Sequence, residues 1–378
     1  MQDPRIERLA ELLIDYSLAL EPGKMLRIEA LDPAAPLVIA LQRVAIDRGA
    51  NPYAYLSVEG LDEILLEEGT EGQLSFISDI QWREYEALDA AVTIWGRENT
   101  RSFTQLDPDR HRLLLATRRK VSNFLWERID RGDARWVGTK MPTSAHAQDA
   151  GMSLAEYEDF VFAACHVRDG EDPVEHWRSR SVELSGRARE LDRTRELRIV
   201  GPDTDLRLNV EGRTWQSADG RLNMPDGEVF TSPAEDATEG EIRFTFPAIF
   251  NGREVEDVRL RFEGGRVVAA EAGRGEDYLT SLLEMDAGAR ILGEAAFGLN
   301  YEIDRFTGDI LFDEKIGGTV HVALGSSFKH LGGRNESGLH WDLVCDLRAD
   351  GEVYADGDLI WRNGAFVRDA EPAETSRA

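Results

Sequence analysis

The chain has 378 residues, 42% of them hydrophobic and 30% charged, with a formal net charge of −27 at pH 7. That length and apolar content favour two folded domains over one and exclude a disordered chain. A surface this acidic repels phosphate backbones and anionic lipid, which argues against nucleic-acid and membrane partners.

The opening segment, MQDPRIERLAELLIDYSLAL, places Ile6, Leu9, Leu12, Leu13, Tyr16 and Leu20 at helical spacing and predicts a first helix. Its acids, and Asp15 in particular, interrupt what a signal peptide needs as an unbroken apolar run. No stretch reaches the length of a membrane span, so a cytoplasmic protein is expected. MLRIEA then reads as a strand, Pro33 and Pro36 punctuate a turn, Leu37 to Arg48 forms an amphipathic helix, and PYAYLSV a second strand. A strand–helix–strand unit calls for parallel pairing. Its first turn has no Gly-rich phosphate loop, so a dinucleotide site is poorly supported. DAAVTIWG, the segment Asp107 to Arg131 and ARWVGTKMP add a strand, a long helix and a strand. In MSLAEYEDFVFAAC, Ser153 is placed to cap a helix and Glu156 to close a capping box. Pro173 to Leu191 gives another helix.

Near Glu190 the texture changes to short apolar strands separated by Gly and Asp turns, with one helix at roughly 277–284. The fold class expected is therefore an α/β N-terminal domain plus a mainly antiparallel β (α+β) C-terminal domain. The boundaries are 1–190 and 191–368, with 369–378 as a disordered tail. The two cysteines, Cys165 and Cys345, lie far apart in apolar runs and form neither a disulfide framework nor a Cys-rich zinc pattern.

Three of the seven histidines fall between 321 and 340. In LHWDLVCDL, His340 and Asp342 are two apart on a strand and share a face, while Trp341 and Leu343 point the other way, into a core. His321 sits in the apolar strand GGTVHVALG. Each of these alone is more often a hydrogen-bonded pair or a satisfied core histidine than a metal ligand. The accompanying acids change the balance. Glu228 lies beside a tight turn in NMPDGEVFTSP, and Glu294 in the middle of the apolar ILGEAAFGLN. A carboxylate buried without a partner costs several kcal/mol and calls for a cation or hydrogen bonds. Hard oxygen and borderline nitrogen donors together suit a pair of Zn, Co or Mn ions. Asp226, Glu235, Asp236 and Glu239 flank Glu228 and are expected to face water.

These strings carry a resemblance that covers nearly the whole chain. NMPDGEVFTSPAEDATEG, LGEAAFGLN, DEKIGGTVHVALGSS and GGRNESGLHWDLVCDLR are long, irregular and ordered as in the thermophilic-type metallo-aminopeptidases, the group that includes aminopeptidases T and S. The resemblance implies a homodimer that cleaves N-terminal residues from peptide substrates with two divalent metal ions per chain. It implies Glu228, Glu294, His321, His340 and Asp342 as metal ligands, with Glu294 at or near the bridging position. Glu228 and Glu294 are the carboxylates that would take a proton, and Glu314 is an additional ligand or a residue just behind the ligands.

In one place the chain departs from that pattern. The resemblance implies a tyrosine after ALGSS, and this chain has Phe328. Losing a hydroxyl that donates to a developing oxyanion costs ~3 kcal/mol. Lys329 and His330 are nearby donors that offer a partial substitute; a weakened activity is the other outcome. A different class also remains open: His321, His340 and Asp342 could form the facial triad of a single-iron, ring-opening dioxygenase of the related hydroxypyridine type.

Overall fold

The computed structural model describes residues 3–370. The chain divides into two compact units, one comprising the chain to Arg178 with Gly220–Pro225, the other Ser179–Asp219 with the chain from Asp226.

The first unit is α/β. Strands β1 (Met25–Leu31), β2 (Asn51–Ser57), β3 (Ala90–Trp95) and β4 (Arg135–Lys140) lie in the order β2-β1-β3-β4, with the short strand Asn223–Met224 outside β4, all parallel. Helices α1 (Pro4–Leu12), α2 (Ala35–Asp47), α3 (Pro108–Asp130) and α4 (Leu154–Ala164) surround this sheet in sequence. Leu26, Ile28, Val92, Ile94 and Val137 pack with Leu9, Leu12, Leu37, Leu41 and Trp177 into one core. Burial of each large apolar side chain contributes about 1.5–3 kcal/mol.

Local signals set the helix ends. Asp3 accepts the amide hydrogen of Arg5 ahead of Pro4, Asp107 does the same before Pro108, and Ser153 and Glu156 form the expected capping box. The first helix is shorter than its apolar spacing suggests: the α-helical ladder stops at Leu12 and the next turn, Leu13–Ser17, is wound as a π-helix. Among the helices that the apolar spacing does not predict, three lie between β2 and β3: Leu61–Glu68, Glu71–Leu74 and Asp79–Ala87. The first two bury one residue each and the third none, so they carry almost no apolar stripe to read.

The second unit is mainly antiparallel β. One sheet has eight strands, running in sequence from Glu196–Gly201 to Ala365–Phe366. A second has five: β5 (Gln216–Ala218), β6 (Glu228–Thr231), β7 (Leu292–Gly298), β8 (Thr319–Gly325) and β9 (His340–Asp346), in the order β9-β8-β7-β6-β5, and a separate two-stranded sheet pairs Ala248–Phe250 with Arg253–Val255. Every neighbouring pair in the five-stranded sheet is antiparallel. Leu197, Ile199, Leu206 and Leu260 of the eight-stranded sheet share a core with Val229, Phe297, Val322, Trp341 and Leu343 of the five-stranded one.

A single boundary near 190 does not describe this division. It falls at 178/179, inside helix α5 (Pro173–Leu191), which gives Trp177 to the first core and Leu184, Ala188 and Leu191 to the second. Gly220–Pro225 returns to the first unit because Asn223 and Met224 pair with Gly138 and Thr139 of β4. Val367–Ala370 forms a short helical turn, and the remainder of the predicted tail, from 371, lies outside the described residues. No helix among the described residues is long and apolar enough to cross a membrane.

Candidate metal centre

The five-stranded sheet has two unlike faces. Alternation along its strands sends Val229, Ala295, Phe297, Val320, Val322, Leu324, Trp341, Leu343 and Cys345 into the core. The residues between them face the other way. Register places His321 beside Ala296 and Val344, Asp342 beside Ala323, His340 beside Gly325, and Glu228 beside Gly298. Polar groups thus alternate laterally with glycine and alanine, which leaves room for several of them to converge.

Glu294 shares this face with Ala296 and Gly298 by ordinary alternation, and the strand is irregular just before it. Leu292 is paired with Leu324, but Glu294 is paired with Ala323, because Gly293 is an extra residue in β7. Two residues apart would ordinarily mean the same face. The bulge changes that parity, so Leu292 lies in the core while Glu294 faces the site. A Cβ at position 293 would lie 2.0 Å from the Ser326 carbonyl oxygen, so only glycine fits there. Glu228 is aimed by its own neighbour: Gly227 adopts φ +124°, and a Cβ there would stand 3.0 Å from that of Asn300.

The five predicted ligands come together. His321 Nε2 lies 3.6 Å from Glu228 Oε2 and 3.7 Å from Glu294 Oε1. His340 Nε2 lies 3.3 Å from Glu294 Oε2 and 3.8 Å from Asp342 Oδ1. One carboxylate, that of Glu294, therefore faces both imidazoles with one oxygen each. Glu294, His340 and Asp342 each offer a ligand atom, all within 4.8 Å of one another. His340 donates its Nδ1–H to the Ser326 carbonyl at 2.9 Å, which leaves Nε2 turned to the cluster. Glu228 Oε2 and Asp342 Oδ1 are buried without a hydrogen-bond partner.

Burial and mutual charge set the protonation of these groups. Burial opposes a charge on His321, yet Glu294, Glu228 and Asp342 override it and hold its pKa up to about 10. His340 is likewise held at about 10 against burial, by Glu294 and Asp342. Burial raises Glu294, but the two imidazoliums outweigh it and bring it down to about 2. Asp342 is pushed up to about 6 by burial, with His340 opposing. Glu228 is raised well above the carboxylate range by burial, with Lys315 the strongest opposing charge.

Other predicted positions are arranged differently. Glu314 is mostly buried and pairs with Lys315, whose side chain is 0% exposed. Phe328 packs its ring against Phe230, His330 and His340, with centroids 5.2, 5.9 and 5.6 Å away. Lys329 points into solvent and pairs with Glu336 at 2.5 Å. His330 is exposed and bonded through Nε2 to Gln216 Oε1 at 2.7 Å. Asp226 corrects an expectation: it is 1% exposed, with an oxygen accepting the Gly227 amide hydrogen, where water was expected. Glu235 is held by Arg213 and Arg334, while Asp236 and Glu239 are exposed. Sequence reasoning passed over Lys315 and Asp226, since nothing in an alternation pattern marks a charge as buried.

The chain matches the model of the family described as thermophilic metalloprotease (M29) over residues 2–366. It is 28% identical to aminopeptidase T of Thermus aquaticus, covering 96% of this chain and 98% of that protein. Aminopeptidase T of Thermus thermophilus is 29% identical with the same coverage of each chain. Aminopeptidase 2 of Geobacillus stearothermophilus is 27% identical over 97% of this chain and 98% of its own. The solved structure of wild-type AmpT from Thermus thermophilus superposes with a TM-score of 0.85 at 26% identity, covering 96% of this chain and 99% of that one. The ring-opening dioxygenase reading gains no support from these relatives.

Proposed function

This chain belongs to the thermophilic metalloprotease (M29) family and is a peptidase, and from that premise we propose that it is an aminopeptidase using two divalent cations held by Glu228, Glu294, His321, His340 and Asp342. The observation that carries the reading is Glu294, whose two oxygens face two different imidazoles, with Glu228 on one flank and Asp342 on the other. The donor set fits the ions. Three carboxylates and two imidazoles suit Zn, Co or Mn, and the orphaned oxygens Glu228 Oε2 and Asp342 Oδ1 are groups that a cation would satisfy.

When bound, the cations supply Lewis acidity that polarises a scissile carbonyl and acidifies a water. The protein's own groups do the rest. Glu228, Glu294, His321, His340 and Asp342 would hold the cations, with Glu294 lying between the two imidazoles. The Ser326 carbonyl fixes the His340 tautomer and ring, keeping the Nε2 lone pair on the cluster. Of the two candidate proton acceptors, Glu228 is the one that keeps a carboxylate oxygen free to take the proton of the attacking water and pass it to the leaving amine, since both Glu294 oxygens face imidazoles. The excess acid of this face attracts the α-ammonium of a peptide, which favours cleavage at the N-terminus. A homodimer belongs to the same proposal.

The test is activity on aminoacyl-anilides and short peptides. Protein stripped with a chelator should be inactive, and Co, Mn or Zn should restore release of single N-terminal residues. Acetylated peptides should resist. Metal-replete protein that releases nothing from a broad peptide panel would defeat the proposal.

A further inference from the structure

The candidate centre is electrically lopsided. Lys315 is 0% exposed, and its ammonium pairs with Glu314. Through Asn300 its backbone is tied to the segment that carries Asp226 and Glu228. The backbone locks it there. Asn300 donates its amide hydrogen to the Lys315 carbonyl and its side-chain amide to the Asp226 carbonyl, and Leu299 donates to the Gly227 carbonyl. Residues 226–228, 299–300 and 314–315 are thus laced into one patch beside Glu228. A buried ammonium paired with a carboxylate has no reason to lose its proton.

On the opposite flank Asp342 Oδ1 faces His340 Nε2 at 3.8 Å. That flank also holds the compact set, Glu294, His340 and Asp342, whose ligand atoms lie within 4.8 Å of one another. Two cation positions sharing Glu294 therefore differ in two ways: how closely their donors converge and whether a fixed positive charge stands beside them.

We propose that Lys315 makes the two positions unequal, so that the first cation is held by Glu294, His340 and Asp342 while the second, at Glu228 and His321, is weakened by the neighbouring ammonium and exchanges readily. This rests on the two-cation reading given above. Repulsion between this ammonium, only partly offset by Glu314, and a divalent ion at Glu228 changes affinity on the order of tenfold. Lys315 acts through the occupancy of the Glu228 position and is a positioning residue. Activity at a given free-metal level then follows the weaker position.

The experiment is a Co2+ titration of the chelator-stripped full chain, followed by visible absorption and total bound cobalt, with anomalous diffraction on crystals holding one equivalent. Wild-type protein should bind two ions at affinities separated by about tenfold or more, and at one equivalent the density should sit at Glu294, His340 and Asp342. Lys315→Met removes the positive charge, so the weak site should tighten at least about tenfold while the strong one stays put. Lys315→Arg keeps the charge and should restore the weak constant. Equal filling of both positions at one equivalent, or a Lys315→Met protein whose weak constant is unchanged or poorer, overturns the role of Lys315 and leaves the two-cation reading standing. A total of one cobalt at saturation removes that reading itself. Should Lys315→Met fail to fold, the wild-type occupancy at one equivalent decides the matter alone.

Discussion

Replacing Glu294 by glutamine in metal-free protein should cost about 3 kcal/mol of stability, and the cost should depend on pH in a defined way. The carboxylate stands 3.7 Å from His321 Nε2 and 3.3 Å from His340 Nε2. His321 is 1% exposed, and its pKa rises from 6.5 to about 10. A rise of that size is about 5 kcal/mol of differential interaction. Glu228 and Asp342 share in it, so roughly half, about 2–3 kcal/mol, belongs to Glu294. His340, with 36% of its side chain exposed, adds less because water screens it. Raised imidazoles stabilise fully below about 6.5, their unfolded value, and lose that contribution as pH rises toward about 10. Glu294, lowered to about 2, contributes above about 4.5 and loses its share as pH falls through 2. The penalty of Glu294→Gln is therefore greatest between about pH 4.5 and 6.5 and shrinks steadily above that window. Urea denaturation of both proteins in excess chelator at pH 5.5, 7.5 and 9.5 measures it. A penalty that is flat or grows across those three values would show that Glu294 does not hold the imidazoliums.

Two further substitutions test how the site is built. Gly293→Ala places a Cβ 2.0 Å from the Ser326 carbonyl oxygen, so it should cost about 2 kcal/mol or more and loosen metal binding by shifting Glu294. A loss below about 0.5 kcal/mol would mean that the bulge relaxes at no cost and does not hold Glu294 in place. Phe328→Tyr puts a hydroxyl on a ring 5.6 Å, centroid to centroid, from that of His340. If that donor is what the chain lacks, kcat should rise about a hundredfold with little change in KM; an unchanged rate would locate the oxyanion donor elsewhere.

Much of the architecture was legible because it is written in local physical terms. The helix starts at Asp107 and Ser153 follow from side chains that satisfy orphan amides. The parallel pairing of β1 with β2 follows from the helix between them. The short helices between Leu61 and Ala87 were not legible, since helices that bury little carry little periodicity. Nor was the return of Asn223 and Met224 to the first sheet, a long-range pairing of two residues. At the candidate site, the shared face of His340 and Asp342 comes from simple alternation. Glu294 alternates with the core residues Ala295 and Phe297 in the same simple way; what alternation misses is Leu292, which the extra residue Gly293 turns into the core. The convergence of Glu294 with Glu228, along with the rest of the ligand set, came from the resemblance of whole strings. Lys315 and Asp226 were missed because burial of a charge is a property of three segments packing together, and no one of those segments shows it.

The most direct test of the account is anomalous diffraction from crystals saturated with cobalt or zinc, recorded on both sides of the absorption edge. Two peaks per chain are predicted, one coordinated by His340 and Asp342, the other by His321 and Glu228, with Glu294 touching both. A single peak, or metal bound away from Glu294, would contradict it.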